Sequence, residues 1–233
     1  LLIAVTGAAG VTSAYQCFVF FPGFFSIVKA SSPDKNEKNM IKKALVVLLS
    51  SALLTPMIAK ADSTIVFLRH GEKPANNSGQ LTCKGLNRAL QLPSVLLSQY
   101  GKPDAIYAAA PKENKTGSSL RPLTTITPTA IRLSQAIDLH YHAEQTDELA
   151  DDLLKTQSSG RLTFVSWEHK NLVIAAQKLV KETGGDPTVV PKWPGSDFDS
   201  LYIIKLDDQK RFKSFTHGAE GLNNVPDSCA GAS

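Results

Sequence analysis

Residues 63–68 (STIVFL), 104–109 (DAIYAA) and 161–166 (RLTFVS) are short, largely apolar runs separated by stretches of helical periodicity. Each has the length of a buried strand. Strands joined through a helical crossover lie parallel, because the helix carries the chain back to the end at which the previous strand began. The alternation therefore predicts an α/β fold, a sandwich of three layers with a mostly parallel central sheet covered on both faces. Residues 82–100 read as a helix with Leu86, Ala89 and Leu90 on one face, kinked or restarted at Pro93. Further helices are expected over 125–137, with Pro128 in the first turn, over 147–155, with Asp147 as N-cap, and over 172–183, closed by Gly184-Gly185. Residues 111–119 are polar, and 139–143 read as extended. Residues 201–206 and 212–216 fit a closing hairpin around Asp207-Asp208. In such sheets the ligand site lies at the carboxyl ends of the strands. His70 and His169 fall just past two of those ends.

Composition narrows the class. A chain of 233 residues with 42% hydrophobic and 20% charged residues is neither disordered nor collagen-like nor a small disulfide scaffold. Its net charge of +4 sits entirely in the first 61 residues, where six lysines face only Asp34 and Glu37. The remainder balances, so nothing marks it for nucleic acid. The sequence from Met40 reads MIKKALVVLLSSALLTPMIAKA, with a lysine pair, an apolar run over 44–54 and a small-x-small site at Ala59-Lys60-Ala61. That is the pattern of a secretory signal peptide, which predicts a periplasmic or secreted chain with no stable membrane insertion after cleavage. Residues 1–39 are read as an upstream, non-native extension. Their uncharged stretch over 1–28 also has the length of a membrane span, which is the rival reading. The domain proper is expected over 62–233. It retains two cysteines, Cys83 and Cys229, either bridged or free. No Cys/His spacing suits a metal, and no cofactor is expected.

Arg69-His70-Gly71 closes the first strand. A neutral imidazole is a good nucleophile near neutral pH, an arginine offers a fork of donors to phosphate oxygens, and glycine lets the backbone approach an anion. TIVFLRHGEKP resembles the motif that opens the histidine phosphatase superfamily, which includes the phosphoglycerate mutases. Three further elements match in order. Leu81-Thr82-Cys83-Lys84-Gly85 is similar to the family's L-T-x-x-G stretch. Ser119-Leu120-Arg121-Pro122-Leu123-Thr124-Thr125 is similar to its segment with a phosphate-binding Arg and a Thr four residues on. Val165-Ser166-Trp167-Glu168-His169 is similar to the strand ending in its second histidine. The match spans about 110 residues and is closest to an exported branch with RHGEKP and WEH motifs.

The resemblance implies a phosphoglycerate mutase-like fold and a metal-independent phosphomonoester hydrolase acting on a small phosphorylated substrate. His70 would take the phosphoryl group as a phosphohistidine, while Arg69, Arg121 and His169 hold the oxygens. Two arginines and a histidine roughly balance a phosphomonoester dianion. The general acid is less clearly marked. Glu148 is favoured among Glu144, Glu148, Asp151 and Asp152, with Glu72 and Glu113 as outside choices. Lys170 and Asn171 stand where relatives often have Gly-Gly. His140 and His142 read as surface residues, and His217 as an imitation of the second histidine. Trp193 and Phe198 flank a loop, either near the pocket mouth or simply anchored. The alternatives are a phosphomutase of the same family and a catalytically weakened protein that binds phosphate esters.

Overall fold

The computed structural model describes residues 61–112 and 119–229. The expected extension (1–39) and leader (40–61) lie outside these residues, apart from Ala61. Strands β1 (Ser63–Arg69), β2 (Ala105–Ala108), β3 (Leu162–Trp167), β4 (Ser200–Leu206) and β5 (Phe212–Ala219) form one sheet in the order β2-β3-β1-β4-β5. The helices are α1 (Cys83–Tyr100), α2 (Arg121–Leu133), α3 (Thr146–Thr156) and α4 (His169–Glu182), with a 3-10 turn at Pro187–Val189. β1 is flanked by β3 in parallel and by β4 in antiparallel. β2–β3 is parallel and β4–β5 antiparallel. The sheet is thus mixed rather than mostly parallel. The crossovers make the first three strands parallel, and the chain then turns back through a hairpin at Asp207, which can only be antiparallel.

Alternation along β1 explains the layers. Ile65 and Phe67 pack with Leu149 and Leu153 of α3 and Leu172, Ala176 and Leu179 of α4. Val66 and Leu68 pack with Leu92 and Leu96 of α1 and Ile126 and Ala130 of α2. The sheet is buried on both faces, which is why its inner strands read as unbroken apolar runs.

Several helices differ from expectation. α1 passes through Pro93 without interruption, with that residue buried. Its inward stripe is Gly85, Arg88, Ala89, Leu92 and Leu96, while Leu86 and Leu90 are exposed. α2 begins at Arg121, so Pro122 rather than Pro128 occupies the first turn and Pro128 lies inside the helix. The hydroxyls of Thr125 and Thr127 there donate to the carbonyls of Arg121 and Leu123. α3 is preceded by Gln145, with Asp147 inside its first turn. α4 begins at His169, because the Glu168 carboxylate caps it by accepting from the amides of Lys170 and Asn171, each at 3.0 Å. These shifts place Arg121 and His169 at the first positions of two helices.

A disulfide joins Cys83, the first residue of α1, to Cys229, with 4.7 Å between the Cα atoms. It fastens the chain end that follows β5. Leu222 and Val225 of that segment enter the core, and Asn87 donates to the carbonyls of Pro226 and Ser228 at 2.8 and 2.9 Å. A bridge closing a loop this long stabilises by about 2–5 kcal/mol. Replacing both cysteines by alanine should lower the melting temperature by roughly 5–15 °C. An unchanged melting temperature would show that the tail holds without its covalent tie.

Candidate active site

The carboxyl ends of β1 and β3 are adjacent, with Arg69 opposite Trp167. The His70 amide donates to the Trp167 carbonyl at 3.0 Å. The turn that follows is held from three sides. The Gly71 amide donates to Thr125 Oγ1 at 2.9 Å. Gly71 also lies back to back with Gly85 of α1. A Cβ on Gly71 would come within 2.9 Å of the Gly85 carbonyl oxygen, and one on Gly85 within 2.7 Å of the Glu72 carbonyl oxygen. Finally, the Glu72 carboxylate accepts from Arg88, at 2.8 Å from Nη2 and 3.1 Å from Nε. Three of the sequence motifs thus meet on one turn.

His70 is 3% exposed. Its Nδ1 lies 2.8 Å from the Gly71 carbonyl oxygen. A carbonyl only accepts, so Nδ1 carries the proton and Nε2 holds the lone pair. Burial first, then the Arg69 and Arg121 charges, bring the His70 pKa down to about 4 against the pull of the Gly71 carbonyl and Glu168. The imidazole is neutral across the physiological range.

Arg69 is 1% exposed. Its Nη1 donates to the carbonyls of Gly195 and Asp197 at 2.9 and 2.6 Å, and Pro194 O lies 3.4 Å away. Its guanidinium carbon sits 3.8 Å from the centroid of the Phe198 ring. Arg121 is fixed by the α2 start, where Ser166 Oγ donates to the Pro122 carbonyl at 2.8 Å. Among the described residues, neither Nε of these arginines has a hydrogen-bond partner, although both are buried. Desolvation lowers both guanidinium pKa values, and Glu168 opposes it. The His169 pKa is lowered by desolvation and then by Arg69. Glu168 Oε1 lies 2.6 Å from His169 Nδ1, but off the line of a ring N–H, so it acts as a neighbouring charge and not as an acceptor.

A cavity of about 310 Å³ opens over these groups. His70, Arg121, Glu168, Lys112, Ser119 and Glu144 line it with Ala109, Ala110, Pro122 and Ala143. Arg69 and His169 are not among its lining residues. Among the described carboxylates named from the sequence, only Glu144 lines the cavity. Trp167 Nε1 holds the preceding carbonyl, that of Ala143, at 2.8 Å. Glu144 pairs with Lys112, whose hydrogen bond keeps its carboxyl below the ordinary range. Glu148 is exposed on the first turn of α3, away from the lining. Asp151 pairs with Lys178 at 2.7 Å, and Asp152 accepts from the Tyr107 hydroxyl at 3.0 Å. Glu72 is taken by Arg88, and Glu113 lies outside the described residues. His140 is exposed beside Asp138. His217 lines a separate cavity with Asp197, Asp199 and Asn223. Lys170 is exposed in the first turn of α4.

The sequence reading missed Glu168 as a cap, and it missed Arg88. Arg88 is fully buried, with Asp199 and Glu220 each 2.8 Å from Nη1. A charge on the inward stripe of α1 was the available signal.

No protein-family model matches the chain, and no curated protein is similar to it in sequence. Solved structures do resemble it. A candidate alpha-ribazole-5'-P phosphatase from Escherichia coli aligns at 13% identity with a TM-score of 0.50, over 69% of this chain and 99% of that one. The protein histidine phosphatase SixA, complexed with tungstate, aligns at 15% identity with a TM-score of 0.49, over 67% and 97%. A phosphoglycerate mutase from Plasmodium falciparum aligns at 12% identity with a TM-score of 0.46, over 70% and 92%. At these identities the likeness is one of fold alone: the alpha-ribazole-5'-P phosphatase shares the α/β sandwich of this chain. Among the described residues there is no group of three acidic, His or Cys side chains that could hold a metal ion. None of the described helices is long and apolar enough to cross a membrane.

Glu220 gives this frame a pH dependence. Burial pushes its carboxyl up to about 8 against the pull of Arg88, with the Asp199 and Glu72 charges adding to the rise. The folded chain therefore keeps a proton that the unfolded chain has lost. That stabilisation is complete below the ordinary carboxyl range and disappears as pH rises through about 8. Thermal melts from about pH 6.5 to 8.5 should show stability falling in wild type and a flatter course in Glu220→Gln. Equal slopes would contradict a protonated Glu220.

Proposed function

We propose that the chain is a phosphomonoester hydrolase that works through a phosphohistidine on His70. One observation carries the reading. A buried neutral imidazole, pinned through Nδ1, stands beside the buried Arg69 and the half-buried Arg121, whose Nε atoms are buried and have no hydrogen-bond partner among the described residues. Phosphoryl transfer asks mainly for a positioned nucleophile and for neutralisation of charge spread over three oxygens. In the first step His70 Nε2 bonds to phosphorus as the ester P–O bond breaks, and a protonated carboxyl gives its proton to the leaving oxygen. In the second, water loses a proton to the same carboxylate, its oxygen bonds to phosphorus, and the N–P bond breaks. Arg69, Arg121 and the His169 imidazole hold the non-bridging oxygens.

We assign the acid to Glu144 in place of Glu148, because Glu144 lines the cavity. Lys112 keeps it ionised in the free chain, so the proton it passes to the leaving oxygen arrives on the monoanionic ester, and the carboxylate left behind activates water in the second step. The cavity of about 310 Å³ suits a small ester. We also take 40–61 as a leader and place the chain in the periplasm or outside the cell. The Cys83–Cys229 bridge supports an oxidising compartment.

Two variants test the roles together. His70→Ala should abolish hydrolysis of all phosphomonoesters while the circular dichroism spectrum is kept. Glu144→Gln should slow alkyl phosphates about 10²–10⁴-fold, while an activated aryl phosphate, whose leaving group hardly needs a proton, changes little. Equal loss on both substrates would remove Glu144 from the acid role. Full activity in His70→Ala would remove the mechanism.

A further inference from the structure

The loop before β4 reaches the site without belonging to any of the four matched motifs. Resting on the phosphate-site reading above, we propose that Phe198 is a positioning residue, whose ring fixes the plane of the Arg69 guanidinium and shields the His70 imidazole from water. The ring touches both groups. The Arg69 guanidinium carbon stands 3.8 Å from its centroid, and the His70 ring centroid lies 6.3 Å away with the planes inclined at 52°.

A guanidinium has two faces and three edges. One face rests on Phe198, where the ring's negative quadrupole attracts the cation. The Nη1 edge is taken by the carbonyls that immediately precede that ring, those of Gly195 and Asp197. Besides the second face, what remains is the side bearing Nε and Nη2, of which Nε is buried and has no partner among the described residues. The clamp thus leaves that side, and not Nη1, to meet a phosphoryl oxygen.

The loop is rigid enough to impose this. The Asp197 carbonyl also accepts from Trp193 Nε1 at 3.0 Å, and Trp193 stacks on Tyr202 with 4.4 Å between centroids. The Asp197 carboxylate accepts from the amides of Asp199 and Ser200 at 2.9 and 3.1 Å, and from the Ser200 hydroxyl. On the far side, Asp199 is tied to Arg88. Phe198 is therefore held at both ends, and its position does not depend on a ligand.

The charges facing His70 are Arg69 on its own strand, Arg121 at the start of α2 and Glu168 before α4, with His169 beside Glu168 and Lys112 and Glu144 at the cavity rim. Removing the ring admits water and loosens Arg69. Both changes raise the His70 pKa.

A plain hydrophobic plug would accept leucine at this position, whereas a π-face would accept tyrosine. The test compares Phe198→Leu and Phe198→Tyr with wild type by calorimetric binding of inorganic phosphate and by NMR titration of His70. Neither measurement needs turnover. Phe198→Leu should weaken phosphate binding roughly three- to thirtyfold, the worth of a cation–π contact. It should also move the His70 midpoint upward from near 4 toward the ordinary value of about 6.5. Phe198→Tyr should keep both properties. The proposal is overturned if the leucine variant binds phosphate as tightly as wild type, or if the tyrosine variant loses as much as the leucine one. Wild type that binds no phosphate would instead overturn the reading of the site itself.

Discussion

The hydrogen bond between His70 Nδ1 and its neighbour's carbonyl decides what this molecule can do. It fixes the tautomer, turns the ring, and leaves Nε2 as the only lone pair. It can form only if the backbone doubles back at Gly71. That turn survives because Gly85 offers it no Cβ, because Thr125 accepts its amide, and because Glu72 is moored to a fully buried arginine. Two of these braces come from α1 and one from α2. The two helices behind them are packed on one face of the sheet, so the turn inherits the rigidity of the core beneath it.

Cations are buried here at a cost that the surroundings offset unevenly. Arg88 meets the carboxylates of Glu72 and Asp199 and the protonated carboxyl of Glu220, and serves the frame. Arg69 and Arg121 have unpartnered Nε atoms, and Glu168 is the acidic group that tempers both. A dianion is the species that such a pair of guanidinium groups would stabilise most. Burial first, and then this same positive field, keeps His70 unprotonated. The charges that favour the anion therefore also help to keep the imidazole nucleophilic.

Much of this was readable before any coordinates. β1 and β3 are unbroken apolar runs because both faces of the sheet are covered, and the histidines follow where those runs stop. Gly85 and Thr125 were visible as motif positions, but their reason is a contact between distant segments that no local pattern expresses. Helix starts were misplaced by three or four residues at α2 and α4. There the first turn is set by Pro122 and by the Glu168 cap, and it carries polar site residues in place of the apolar periodicity that betrays a helix. Glu148 drew attention because, three residues before Asp151, it shares a helix face with another carboxylate. Glu144 sits in irregular backbone whose position depends on a tryptophan N–H from another strand. The antiparallel half of the sheet was legible as a hairpin, but which strand it would join was not.

The central claim is a covalent bond between His70 Nε2 and phosphorus. Mixing the chain with an aryl phosphate labelled on phosphorus, and quenching in alkali within one turnover, tests it most directly. The account predicts base-stable, acid-labile label on the peptide that carries His70, and none in His70→Ala. Turnover without such label, or label on any other residue, would contradict it.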